Sequence, residues 1–218
     1  ARPALLGATR ALLIAVLCAG GGEGGGLVAG KDPIKKVIKV ESNVGALREW
    51  AANNARASVL VHIDPSDDMA NFPASRIKDM ENAAGHLRRR NVKALDEIGA
   101  LIEPGGTVSL GYMAGRYKRV IWVIPTIRPV GEDPVEVYKN FLITQRRYPP
   151  EAVADFKAEG KFITGTISGV PLTITRLADL TLAEGENAIV DIDLSYFPAM
   201  RIAGRSYYRA GTKSLLEF

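Results

Sequence analysis

The chain has 218 residues, of which 47% are hydrophobic and 24% charged, and a formal net charge of +4. That length and apolar content suit one compact α/β domain with a full core. The basic clusters, Arg88-Arg89-Arg90 and Arg146-Arg147, lack the interleaved aromatic residues of a nucleic-acid groove. They read as solvated helix ends or faces, and no nucleic-acid partner is expected.

Residues 1–30 read as a targeting segment outside the fold. Arg2 and Arg10 precede an apolar run, residues 11–19, that is short for a bilayer but suits a signal-peptide core. The glycine-rich tract from Gly20 to Gly26 then acts as a linker near the cleavage point. The protein is therefore expected in the periplasm or cell envelope, with no membrane contact beyond the signal or a lipid anchor. Cys18, the single cysteine, is the candidate for such an anchor, although Leu17 before it is bulky for that role. Without Cys18 the domain has no thiol, which excludes a disulfide, a cysteine nucleophile and a thiolate metal site. Residues 31–218 form the single domain. The chain starts with Ala and ends soon after its last acidic strand, as a fragment of a longer reading frame would.

Residues 34–40 alternate apolar and basic side chains, which predicts an edge strand. Val44, Leu47, Trp50 and Ala51 recur at helical spacing over 44–55, with Ser42 and Asn43 as caps. Val59, Leu60, Val61 and Ile63 predict a strand buried on both faces and ended by Pro65. Pro73 opens a helix through Ile77, Met80, Ala84 and Leu87, where His86 is a surface or packing residue, and a second helix covers 92–101. A short helix over 108–117 carries the small residues Gly111, Ala114 and Gly115, and 119–125 is the clearest buried strand. Two helices over 134–143 and 150–159 follow, then a β-hairpin of 162–167 and 170–175 joined at Ser168-Gly169. A last apolar strand covers 188–197. Interleaved strands and helices of this kind predict one mainly parallel sheet with helices on both faces and a β-hairpin addition.

The chemistry concentrates at the ends of two strands. Ligands of open α/β sheets sit at the carboxyl ends of strands, where the loops diverge. Asp64, Asp67 and Asp68 follow the 59–63 strand there, and side-chain alternation aims His62 and Asp64 to one side. Asp191 and Asp193 share one face of the last strand, which contains no Lys or Arg. Buried carboxylates must protonate, pair with a base or bind a metal. If the two strands are neighbours, Asp64, Asp68, Asp191 and Asp193 meet at the rim as metal ligands; a single Asp at such a place is often only a turn former or cap.

The order His-Ile-Asp-x-x-Asp-Asp-Met, Trp-Val-Ile-Pro, Gly-Val-Pro-Leu and Asp-Ile-Asp-Leu-x-Tyr-Phe, spanning most of residues 57–197, resembles an uncharacterised bacterial family related to arginases, agmatinases and deacetylases. The resemblance implies a three-layer α/β fold with metals at the strand ends. Asp64 and Asp68 match the outer acids of the first motif, and Asp191 and Asp193 match the second. Ser66 stands at the place of a ligand histidine, and Ser195 at that of a further acid. An oxygen-only set follows, which suits Mg, Mn or Ca ahead of Zn. His62 is then either a partner of the ligands, a general base, or a satisfied core histidine. Two functions stay open: a metal-dependent hydrolase of a C–N bond in an unknown small substrate, or a non-catalytic exported protein on the same scaffold. Resemblances of Asp191-Ile-Asp to haloacid-dehalogenase-like phosphatases and of Pro65-Ser-Asp-Asp to another zinc deacetylase family fit poorly.

Overall fold

A computed structural model describes residues 12–18, 34–69, 72–99, 105–125, 133–193 and 196. Eight strands form one sheet: β1 (Leu12–Cys18), β2 (Ile34–Val40), β3 (Val59–Ile63), β4 (Arg119–Ile124), β5 (Lys157–Glu159), β6 (Phe162–Ile167), β7 (Val170–Arg176) and β8 (Asn187–Asp193). Their order is β2-β1-β8-β3-β4-β7-β6-β5. The four central strands, β8, β3, β4 and β7, run parallel, whereas β1, β2, β5 and β6 join by antiparallel pairings. The sheet is therefore mixed rather than mainly parallel. Its parallel centre is buried, and its margins are hairpin-like additions that need no crossover helix.

The helices are α1 (Asn43–Ala52), α2 (Ile77–Arg88), α3 (Val92–Glu97), α4 (Thr107–Met113) and α5 (Pro134–Thr144). Residues of all five enter one core cluster, with Leu60, Val120, Trp122, Ile174 and Ile189 from the sheet. The alternate residues, Val59, Val61, Ile121, Val123 and Val190, form a second cluster on the other face. There the described apolar residues from outside the sheet are Leu180, Leu182 and Tyr196. The helical layer that a three-layer fold requires on that face is not seen among the described residues.

Local sequence explains the elements that frame the site. The Ser42 side chain accepts from the Gly45 amide at 3.1 Å and starts α1, which frees the buried Asn43 for a tertiary role. Asp133 caps α5 through the Val135 amide at 2.9 Å, with Pro134 in the first turn. Gly111 lets α4 approach Trp50 and Tyr117, because a Cβ there would lie 2.5 Å from the Tyr117 hydroxyl and 2.8 Å from the Trp50 ring. Arg88, Arg89 and Arg90 are exposed, and two of them also reach helix carbonyls. Arg90 donates to the Ala51 and Ala52 carbonyls at the end of α1, and Arg88 to that of Met113 in α4.

One further expectation differs. Residues 150–159 are a 3₁₀ turn, Pro150–Val153, followed by β5, instead of a helix. Phe156 turns inward onto Gly165 of β6, where a Cβ would sit 2.6 Å from its ring, and the chain continues as an added strand. The apolar run read as a signal core contains β1, seated between β2 and β8. The edge that β8 leaves open on the side away from β3 is a template for this added strand.

Removal of residues 1–30 deletes β1, bares β8 and detaches β2. The melting temperature is expected to fall by at least ~5 °C, as about 2 kcal/mol does in a chain of this size. An unchanged melting temperature would show that β1 adds nothing to the stability of the sheet.

Candidate metal centre

The centre lies at the carboxyl ends of β3 and β8, which are direct neighbours in parallel register. His62 stands opposite Asp191, and both are on the sheet face that carries the helices. Its Nδ1 is 3.1 Å from Asp191 Oδ2, and its Nε2 is 3.0 Å from the Ser66 carbonyl oxygen and 3.8 Å from Asp64 Oδ2. A carbonyl oxygen cannot donate, so Nε2 carries a proton and donates to Ser66. Nδ1 faces the Asp191 carboxyl, and the neighbouring acids raise the His62 pKa so that the ring is an imidazolium at neutral pH.

A tight loop brings the other acids round. Asp64 Oδ1 accepts from the Ser66 amide at 2.6 Å, an Asx turn, while the Asp64 carbonyl takes the Trp122 indole N–H at 2.8 Å. Asp68 adopts a left-handed backbone, φ 44°, and its Oδ2 accepts from Asn43 Nδ2 at 2.9 Å. The Asp68 carbonyl accepts from the Val108 amide, and that of Met69 from the Tyr148 hydroxyl. Asp67 pairs with Arg146, whose Nε and NH2 lie 3.2 and 2.9 Å from its two oxygens.

His62, Asp64 and Asp68 each offer one ligand atom, all within 4.8 Å of one another, and form a group that could hold a metal ion. Asp191 and Asp193, expected as ligands from the sequence, are not in that group. The strand register gives Asp191 to the imidazole, and its Oδ1 is buried without a hydrogen bond. Asp193 is 1% exposed and acts on Asp64 and Asp191 through its charge. His62 thus moves from possible partner to possible ligand, in the carboxylate–histidine arrangement that orients metal-binding imidazoles. Ser195 lies outside the described residues. The sequence left Asp67 and Arg146 without roles, and nothing local marks Asn43, Trp122 or Tyr148 as neighbours of the loop.

Charge and burial oppose each other here. Burial alone lowers the His62 pKa, but the Asp191 hydrogen bond and the charges of Asp64, Asp191 and Asp68 overcome it and raise it to about 10. Burial raises Asp64 to about 8, with the charges of Asp68 and Asp193 adding to the rise and His62 opposing it. Burial likewise pushes Asp191 and Asp67 up, against His62 and Arg146 respectively. The chain matches no protein family, no curated protein and no solved structure with which it was compared.

These shifts fix the sign of the pH dependence. Between the ordinary carboxylate pKa of 3.8 and about 8, folded Asp64 keeps a proton that the unfolded chain has released. Stability contributed by His62 is complete below 6.5 and is lost as pH rises through about 10. Each group contributes a slope of up to about 1.4 kcal/mol per pH unit, and both slopes are downward with rising pH. Chelator-treated protein should melt at its highest temperature near pH 5 and progressively lower toward pH 9. A melting temperature that climbs from pH 5 to pH 8 would contradict this assignment.

Proposed function

We propose that the protein binds a divalent cation at His62, Asp64 and Asp68 and hydrolyses a C–N bond of an amidine or amide in a small molecule. The observation that carries this reading is the meeting of the three ligand groups within 4.8 Å at the carboxyl ends of adjacent parallel strands. Carboxylates outnumber the imidazole, which favours Mn or Mg ahead of Zn. A bound cation would supply Lewis acidity that lowers the pKa of water. Asp191 holds the imidazole in position through Nδ1, and Asn43 fixes one oxygen of Asp68. As a ligand Asp64 would hold the cation as a carboxylate, so the proton it keeps up to about pH 8 in the metal-free site would leave on binding. The C–N bond class rests on the resemblance of the two acidic motifs to the arginase-related family.

One observation favours a second reading. His62, Asp64, Asp68, Asp191 and Asp193 are all between 0 and 3% exposed, and Ser66 replaces the expected imidazole. A cation so enclosed serves the fold of a non-catalytic protein of the cell envelope.

Thermal melting with Mn, Mg and Zn after chelation, followed by ammonia or urea release from a panel of amides and amidines, tests both. Free Mn at ~100 times its dissociation constant should stabilise the fold by about 2.7 kcal/mol. Asp64→Asn or Asp68→Asn should abolish that gain, while Ser66→His should tighten Mn or Zn binding. Metal-dependent stabilisation without turnover would select the second reading. No shift with any of the three metals would sink both.

A further inference from the structure

Arg146 touches the acidic loop at Ser66 and Asp67, two of the three residues that separate Asp64 from Asp68. Its Nε and NH2 engage the two carboxylate oxygens of Asp67, and NH2 also donates to Ser66 Oγ at 3.0 Å. Ser66 Oγ in turn faces the Asp68 amide at 3.4 Å, and Asp67 Oδ1 accepts from the Met69 amide at 3.3 Å. Both amides that flank the Asp68 side chain are therefore fastened by groups that Arg146 holds.

The backbone between them needs such a fastening. Asp68 has a positive φ of 44°, a conformation that non-glycine residues occupy at a cost of order 1 kcal/mol or more unless their surroundings enforce it. Asp67 is 1% exposed, and removing its counter-charge alone would leave a buried carboxylate unpaired. The guanidinium is itself anchored. It lies 5.4 Å from the centre of the Phe141 ring, and the Arg146 amide turns back to the Phe141 carbonyl at the end of α5. Two residues on, Tyr148 clips the same loop through the Met69 carbonyl.

We infer that Arg146 is the positioning residue of this centre, clamping Ser66 and Asp67 so that the left-handed turn delivers Asp68 to His62 and Asp64. Its hydrogen bonds and ion pair go to Ser66 and Asp67 and not to the three ligand groups, so it acts on them through the loop. A planar fork is required, because it must meet two carboxylate oxygens and a hydroxyl at once, a task a lysine ammonium performs poorly. The consequence for metal affinity rests on the proposed cation site; the consequence for the loop does not.

The test uses the full chain with Arg146→Lys, which keeps the charge, and Arg146→Ala/Asp67→Asn, which removes both charges together and protects the fold. In chelated protein, the Asp68 and Met69 amides should exchange with solvent at least ~10-fold faster in both variants, with the β3 amides unchanged. In the same variants Mn titration should show affinity weaker by ~10- to 100-fold, the loss usual for a partner that orients metal ligands. Unchanged exchange at Asp68 and Met69 in a folded variant overturns the inference, whatever the metal result. Faster exchange in the variants of a chain that binds no metal supports the clamp and rejects the proposed cation site instead. Faster exchange with undiminished Mn affinity overturns the claim that the clamp serves the centre.

Discussion

Buried negative charge is the constraint on which the rest of this structure depends. Asp64, Asp67, Asp68, Asp191 and Asp193 are each no more than 3% exposed, and they crowd the carboxyl end of one sheet. Carboxylates in such a place repel one another and lose their hydration, so the fold must supply positive charge or protons. It supplies an imidazolium at the centre, on β3, and a guanidinium at the side, from the end of α5. The His62–Asp191 pair is also the side-chain link between the two strands whose register defines the rim, so the charge balance and the sheet order are one arrangement.

From that pair outward, each neighbour has a definite task. Trp122, one strand over, holds the Asp64 carbonyl, and Asn43, released from capping by Ser42, holds Asp68. Arg146 and Tyr148 tie the loop to α5. The loop is thereby held by three sequence-distant elements, β4, α1 and the end of α5. A proton on His62 and a divalent cation are alternative ways to balance the same charges. Metal uptake is then expected to release protons, as ligand deprotonation requires.

Much of this frame is legible in the sequence, for identifiable reasons. The β-branched run at Val59–Ile63 and the run at Arg119–Ile124 are apolar on both faces, a pattern that belongs to central parallel strands, and they occupy the middle of the sheet. Alternation places His62 and Asp64 on one face and Asp191 and Asp193 on one face, and the structure brings the strands side by side. The register is not legible, because nothing in either strand says that His62 stands opposite Asp191. Its consequence, the contact of Asp191 with the imidazole, could not be read. Arg146 lies 79 residues from Asp67, and a dibasic pair at a helix end carries no sign of a buried partner. The mixed margins of the sheet are not legible for a similar reason, since the pairing of β1 and of the three-residue β5 is decided by open edges nearby.

The state of His62 is the most direct measure of this charge balance. The chain has two histidines, and His86 lies on α2, so the ring nitrogen resonances of His62 can be assigned with a single His86→Gln variant. Nitrogen-15 spectra of metal-free protein across pH 5 to 10 should show both ring nitrogens of His62 protonated at pH 7, with the proton lost only toward pH 10. A neutral ring at pH 7, with one nitrogen bare, would contradict the imidazolium-centred account of the rim.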